Sequence, residues 1–135
     1  MYILSVKTSC RRELIDITSQ IQAVLTQTAL ATGVCVVFIP HTTAAVTINE
    51  NADPAVKSDI LLGLERIAAQ KDFRHREGNS DAHLSASLLG SSQMIPIQKG
   101  ALVLGIWQGI YLAEFDGPRT RQVILAFSGD PGVNQ

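Results

Sequence analysis

Cysteine is scarce in this chain. Cys10 and Cys35 form no CxxC pair and are too few for a disulfide framework. Cys35 lies inside Gly33-Val34-Cys35-Val36-Val37-Phe38-Ile39 and reads as a small core residue. A charge excess is also missing: 11 Lys and Arg against 12 Asp and Glu give a formal net charge of -1. That balance offers no electrostatic case for nucleic acid or an anionic membrane as partner. No window approaches the ~20 apolar residues that a membrane span needs. The opening Met1–Lys7 has neither a basic region nor a sustained apolar core, so no signal peptide is expected and the expected location is cytoplasmic. A GxSxG elbow, a Walker A loop and a GxGxxG turn are all lacking, which argues against a serine nucleophile, nucleotide-dependent phosphoryl transfer and Rossmann redox chemistry.

What is present is apolar. Hydrophobic residues make up 46% and charged residues 17% of 135 positions. This suits one domain, 1–135, with a single substantial core and room for a buried subunit interface. Strands are expected over 2–8 and 13–17. A helix is expected over about 19–31, with Ser19 and Gln22 as a capping box and Gly33 as its stop. Val34–Ile39 reads as a buried strand, broken by Pro40, and Ala44–Ile48 as the next. Asp53 and Pro54 then open a helix over 54–70, whose apolar face is Val56, Ile60, Leu61, Leu64, Ile67 and Ala68. A short helix over 81–89 ends at Gly90. Strand signals follow at 94–97, from 100 to 107 with both faces buried, at 110–115 and at 120–127. Strands and helices alternate and finish in an antiparallel meander. The expected class is therefore α+β, a mostly antiparallel sheet packed with two main helices and one short one.

Three polar groups could carry chemistry. His41, His75 and His83 sit beside small or polar residues at loops or element ends, where sites are usually built. Their spacing matches no metal motif, so unrelated histidines are the competing reading. His83 falls in the first turn of the short helix, where the helix dipole favours a neutral imidazole. The second group, Asn49, Glu50, Asn51 and Asp53, either caps the helix or faces a ligand. The third is Glu114, Asp116, Arg119 and Arg121. A two-residue turn at Gly117-Pro118 would set Asp116 against Arg119 and Glu114 against Arg121 as cross-strand ion pairs, or leave one arginine free to fork a phosphate.

Three blocks of residues are also specific in order and spacing. They are His41-Thr42-Thr43-Ala44 with Ile48-Asn49-Glu50-Asn51 and Asp53-Pro54, then His75-x-Glu77-Gly78-Asn79 with Ala82-His83 and Gly90, then Gly105-x-Trp107-Gln108 with Glu114-x-Asp116-Gly117-Pro118-Arg119-x-Arg121. Over about residues 40–128 the chain resembles the YjbQ-like family, also called secondary thiamine-phosphate synthases. The resemblance implies a ring-like homotrimer of small α+β subunits. It implies a transferase joining a pyrimidine diphosphate to a thiazole phosphate, an activity regarded as weak or secondary. It further implies a divalent metal, zinc or magnesium, near His41, His75 and His83. On this mapping His41, His83 and Asp53 are catalytic, while Asn49, Glu50, Asn51, Asn79, Asp81 and Arg119 bind a small phosphorylated substrate. Two other functions fit the same residues: a metal-dependent hydrolase of a phosphate ester, and a non-catalytic trimer that binds a small ligand.

Overall fold

Alternate residues of two antiparallel sheets meet to form the main core. The structure, a computed structural model, describes residues 1–132; residues 133–135 of the expected single domain lie outside the described residues. The elements in chain order are β1 (Tyr2–Lys7), β2 (Glu13–Asp16), α1 (Thr18–Thr28), β3 (Leu30–Phe38), β4 (Ala44–Glu50), α2 (Pro54–Ala68), α3 (Ser80–Leu89), β5 (Ser92–Gln98), β6 (Ala101–Leu102), β7 (Gln108–Glu114) and β8 (Thr120–Pro131). Five strands form one sheet in the order β1-β8-β3-β5-β6, and three form another in the order β2-β7-β4. The pairings are antiparallel. The α+β expectation, with two main helices and one short one, holds. Among the described residues no helix is long and apolar enough to cross a membrane.

The central strand of the small sheet explains the layering. On β7, Ile110 and Leu112 face the five-stranded sheet and join Val37, Ile95, Val123 and Leu125 in the first core. Tyr111, Ala113 and Phe115 face the other way, onto Ala82 and Ala86 of α3 and the half-buried Leu61 and Leu64 of α2. The period of two thus separates two apolar layers rather than an apolar face from a polar one. Glu114 has the parity of Ile110 and Leu112, which places a carboxylate between the sheets.

Several local expectations are corrected. The Ser19–Gln22 capping box does not form. Asp16 instead accepts from the backbone N–H and the hydroxyl of Thr18, at 2.9 and 2.6 Å. Gln22 is used elsewhere, donating to Gly100 O and accepting from Leu102 N–H, so it ties α1 to β6. Ala29, at φ 59°, ends the helix, and β3 starts at Leu30 rather than Val34. Residues 103–107, read as buried on both faces, form an exposed loop in which Ile106 is 86% and Trp107 60% exposed. Ile67 is likewise exposed on α2. The largest correction concerns β7 and β8. They are not a hairpin, since they belong to different sheets, and residues 115–119 carry the chain from one layer to the other.

Candidate functional site

Proline starts the site. β3 pairs with β8 up to Phe38 opposite Ile124. Two residues on, Pro40 has no N–H to give, so the ladder stops, and the Gln122 N–H turns to a side chain rather than to β3. The His41 ring fills the gap: its Nε2 accepts from Gln122 N–H at 2.9 Å. A neutral imidazole has one acceptor nitrogen, so this bond fixes the tautomer with the proton on Nδ1. Burial first, and the Arg121 charge second, hold His41 below its ordinary pKa against the opposing pull of Glu114.

The chain then crosses from one sheet to the other through His41, Thr42 and Thr43. α3 and its exit at Gly90–Ser91 pack beside this crossing, with Ile39 N–H donating to Ser91 O at 2.8 Å and Val46 N–H to Gly90 O at 3.2 Å. Two open clefts of about 480 Å³ each result. One is lined by His41, Thr42, His83, Ser87 and Ser91. The other is lined by Phe38, His41, Thr43, Ser91, Arg119 and Arg121. Both include His41, Thr42 and Ser91, so they are halves of one groove that passes over the imidazole. The lining of the two halves contains two histidines, two arginines and no carboxylate.

Beneath this groove lies the Glu114–Arg121 pair, 0% and 2% exposed. Arg121 Nε donates to both Glu114 oxygens at 3.0 Å, and Nη2 donates to Glu114 and to Thr43 Oγ1. Glu114 also accepts from Thr8 Oγ1 and from the backbone N–H groups of Phe115 and Asp116. The pairing of Glu114 with Arg121 was legible in the sequence, but as a cross-strand pair beside a tight turn. It is in fact a buried bridge between sheets, because its strands occupy different layers. Asp116 and Arg119 do pair, at 3.2 Å, and Arg119 Nε donates to Asp116 O.

The other expected site residues divide. His83 shares the groove with His41 inside one chain. His75 stands edge-on to His83, with ring centroids 5.4 Å apart, and faces a third cavity of about 380 Å³ beside Arg11, Phe73 and Asp81. Asn79 precedes α3 and donates to Asp116, while its Oδ1 is buried without a partner among the described residues. Asp81 is held by Arg11 at 3.0 Å and Arg12 at 3.4 Å, two partners that sequence reasoning missed because they lie about 70 positions away. Arg12 also stacks on Phe115. Asn49, Glu50, Asn51 and Asp53 are not at the groove. They lie at and just beyond the far end of β4, roughly 20 Å away at the usual rise per residue. Asp53 caps α2 by accepting from Ala55 N–H, Asn49 accepts from Glu50 N–H, and Asn51 contacts Asp16. Asp53 is thus the N-cap of α2, away from the groove that His41 and His83 line.

Among the described residues no three His, Cys, Asp or Glu side chains are grouped to hold an ion. His41 could coordinate through Nε2 only by giving up Gln122.

Residues 2–130 match the family described as UPF0047 protein YjbQ-like. A UPF0047 protein of Methanocaldococcus jannaschii is 47% identical over 131 residues, 96% of this chain and 95% of its own. The UPF0047 protein YugU of Bacillus subtilis is 46% identical over 128 residues, 93% and 97% of the two chains. A solved YjbQ/UPF0047-family structure from Clostridium acetobutylicum matches with a TM-score of 0.93 at 50% identity, covering 95% of this chain and all of that one. One from Sulfolobus solfataricus, described as a protein of unknown function, matches with a TM-score of 0.91 at 33% identity, covering 96% of each. These relatives correct the expected activity. They are named only as UPF0047 proteins or as of unknown function, so the joining of a pyrimidine diphosphate to a thiazole phosphate does not stand, and neither alternative gains support from them. What the match along nearly the whole chain establishes is membership: the chain belongs to the YjbQ-like UPF0047 family.

Proposed function

We propose that the groove over His41 binds a small phosphorylated molecule and that His83 exchanges a proton with it. The observation that carries this reading is the lining: Arg119, Arg121 and two imidazoles with the hydroxyls of Thr42, Ser87 and Ser91, and no carboxylate to repel an anion. His41 has spent its acceptor on Gln122, so its remaining polar atom is the Nδ1–H donor and its role is to position the anion. His83 lines the same half of the groove with no hydrogen bond to its ring among the described residues, which leaves it free for acid–base work. No step is assigned to a divalent ion.

Calorimetric titration with phosphorylated metabolites and their unphosphorylated counterparts tests this. Only the phosphorylated forms should bind, and His83→Ala should keep binding while losing the proton exchange that the native protein shows as a buffer-dependent binding heat. Equal binding of both forms would remove the reading.

We also propose that the chain assembles as a ring-like homotrimer through the outer face of the five-stranded sheet. There the register sets Ile3 opposite Ile124 and Ile124 opposite Phe38, with Val36 opposite Met94 alongside. Ile3, Phe38 and Met94 are 58%, 41% and 67% exposed, an apolar row on a face that antiparallel sheets usually leave polar. Sedimentation equilibrium should give a trimer that Met94→Glu dissociates. A monomeric native chain would exclude it.

A further inference from the structure

We infer that Arg121 is the anchor of the groove: its Nη1 binds one oxygen of a phosphate monoester while Glu114 fixes the rest of its guanidinium. The inference deepens the phosphate reading of the groove and rests on it.

A count of donors carries it. Arginine has five N–H donors. In Arg121 the Nε–H and both Nη2 hydrogens are taken by Glu114 and Thr43. Nη1 donates to nothing among the described residues, yet the side chain is only 2% exposed and lines the half of the groove that also holds Arg119. Nη1 is not among the fully buried atoms left without a partner, so it reaches the cleft, where an acceptor can meet it.

The surroundings fix the geometry of that acceptor. Glu114 receives Thr8, Phe115, Asp116 and Arg121 together, so neither carboxylate oxygen has a reason to turn toward a ligand. The guanidinium plane is held in advance, and binding does not have to order it. Further donors line the same half: His41 with its Nδ1–H, Thr42 and Ser91 with their hydroxyls, and Arg119, whose Nε and Nη2 are spent on Asp116. Glu114 neutralises Arg121, and Asp116 neutralises Arg119. The groove therefore recognises an anion through directed N–H and O–H groups more than through net charge, which suits a monoester better than a polyphosphate. Lysine at 121 could not hold Glu114 with two nitrogens and present a third to the groove.

The test uses the intact chain with methyl phosphate, and acetate as the carboxylate arm. In the wild-type protein the Arg121 guanidinium resonances should shift on titration with methyl phosphate, with the same dissociation constant that calorimetry gives. Arg121→Lys should weaken binding by about tenfold or more, the scale of a hydrogen bond to a charged group, with the far-ultraviolet circular dichroism unchanged. Should that variant fail to fold, the wild-type resonances decide alone. Saturable methyl phosphate binding that leaves them unmoved overturns the anchor while the groove reading survives. Acetate binding as tight as methyl phosphate overturns the phosphate assignment of Nη1. No saturable binding of either probe to the wild type removes the groove reading and the anchor with it.

Discussion

The two ends of β4 carry polar clusters, amide and acidic at one end and basic at the other, and they differ in what is left over after local bonding. At the far end, Asp53 caps a helix, Asn49 serves its neighbour's N–H and Asn51 reaches Asp16. At the near end, Pro40 has broken the ladder, His41 repairs it with one nitrogen, and Arg121 keeps an unused Nη1 at the groove. Polar density does not separate scaffold from site. Spare hydrogen-bonding capacity facing a cavity does.

The sharpest way to break the comparison is to remove the buried carboxylate. Glu114→Ala leaves Arg121 charged, buried and unpaired, and should cost about 3–5 kcal/mol in urea unfolding. Asp53→Ala at the other end should cost about 1 kcal/mol, the worth of an N-cap, and leave ligand binding untouched. If the two costs were alike, the distinction between a buried bridge and a local cap would be lost.

A smaller effect is expected with pH. The folded-state pKa of His41 lies below its unfolded value, so the folded protein resists its protonation. Its stability contribution is therefore full above about pH 6.5, falls as pH drops below that value, and is gone beneath the folded pKa. Replacing His41 by Asn should flatten that part of the stability profile measured by thermal unfolding. The smallest effect is chemical. Burial pushes the Cys35 thiol up to about 11, so in native protein at neutral pH iodoacetamide should label the exposed Cys10 and spare Cys35 until the chain unfolds.

Some local signals were legible in the sequence, although the Ser19–Gln22 capping box was not among them, and contacts between distant elements were not. Asp53-Pro54 marks the start of α2, and Pro40 marks the strand break, because each acts within a few residues. The Glu114–Arg121 pair was visible as a pair, but its burial depends on β7 and β8 lying in separate sheets, which spacing does not encode. The ion pairs of Asp81 with Arg11 and Arg12 join β2's approach to α3 across the fold and left no local trace. Apolar content misled at residues 103–107, where Ile106 and Trp107 sit on an exposed loop. Of the expected site, His41, His83 and Arg119 line the groove, Asn79 reaches it through Asp116, His75 and Asp81 line the third cavity, and the cluster from Asn49 to Asp53 stands apart.

The central claim is that the open donors around His41 are the ligand site and the cluster beyond β4 is not. Backbone amide shifts of the native protein, followed by two-dimensional NMR as methyl phosphate is added, test it most directly. Shifts confined to residues 38–43, 83–91 and 119–122 are predicted, with 49–53 silent. Shifts centred on 49–53, with the His41 groove unmoved, would contradict it.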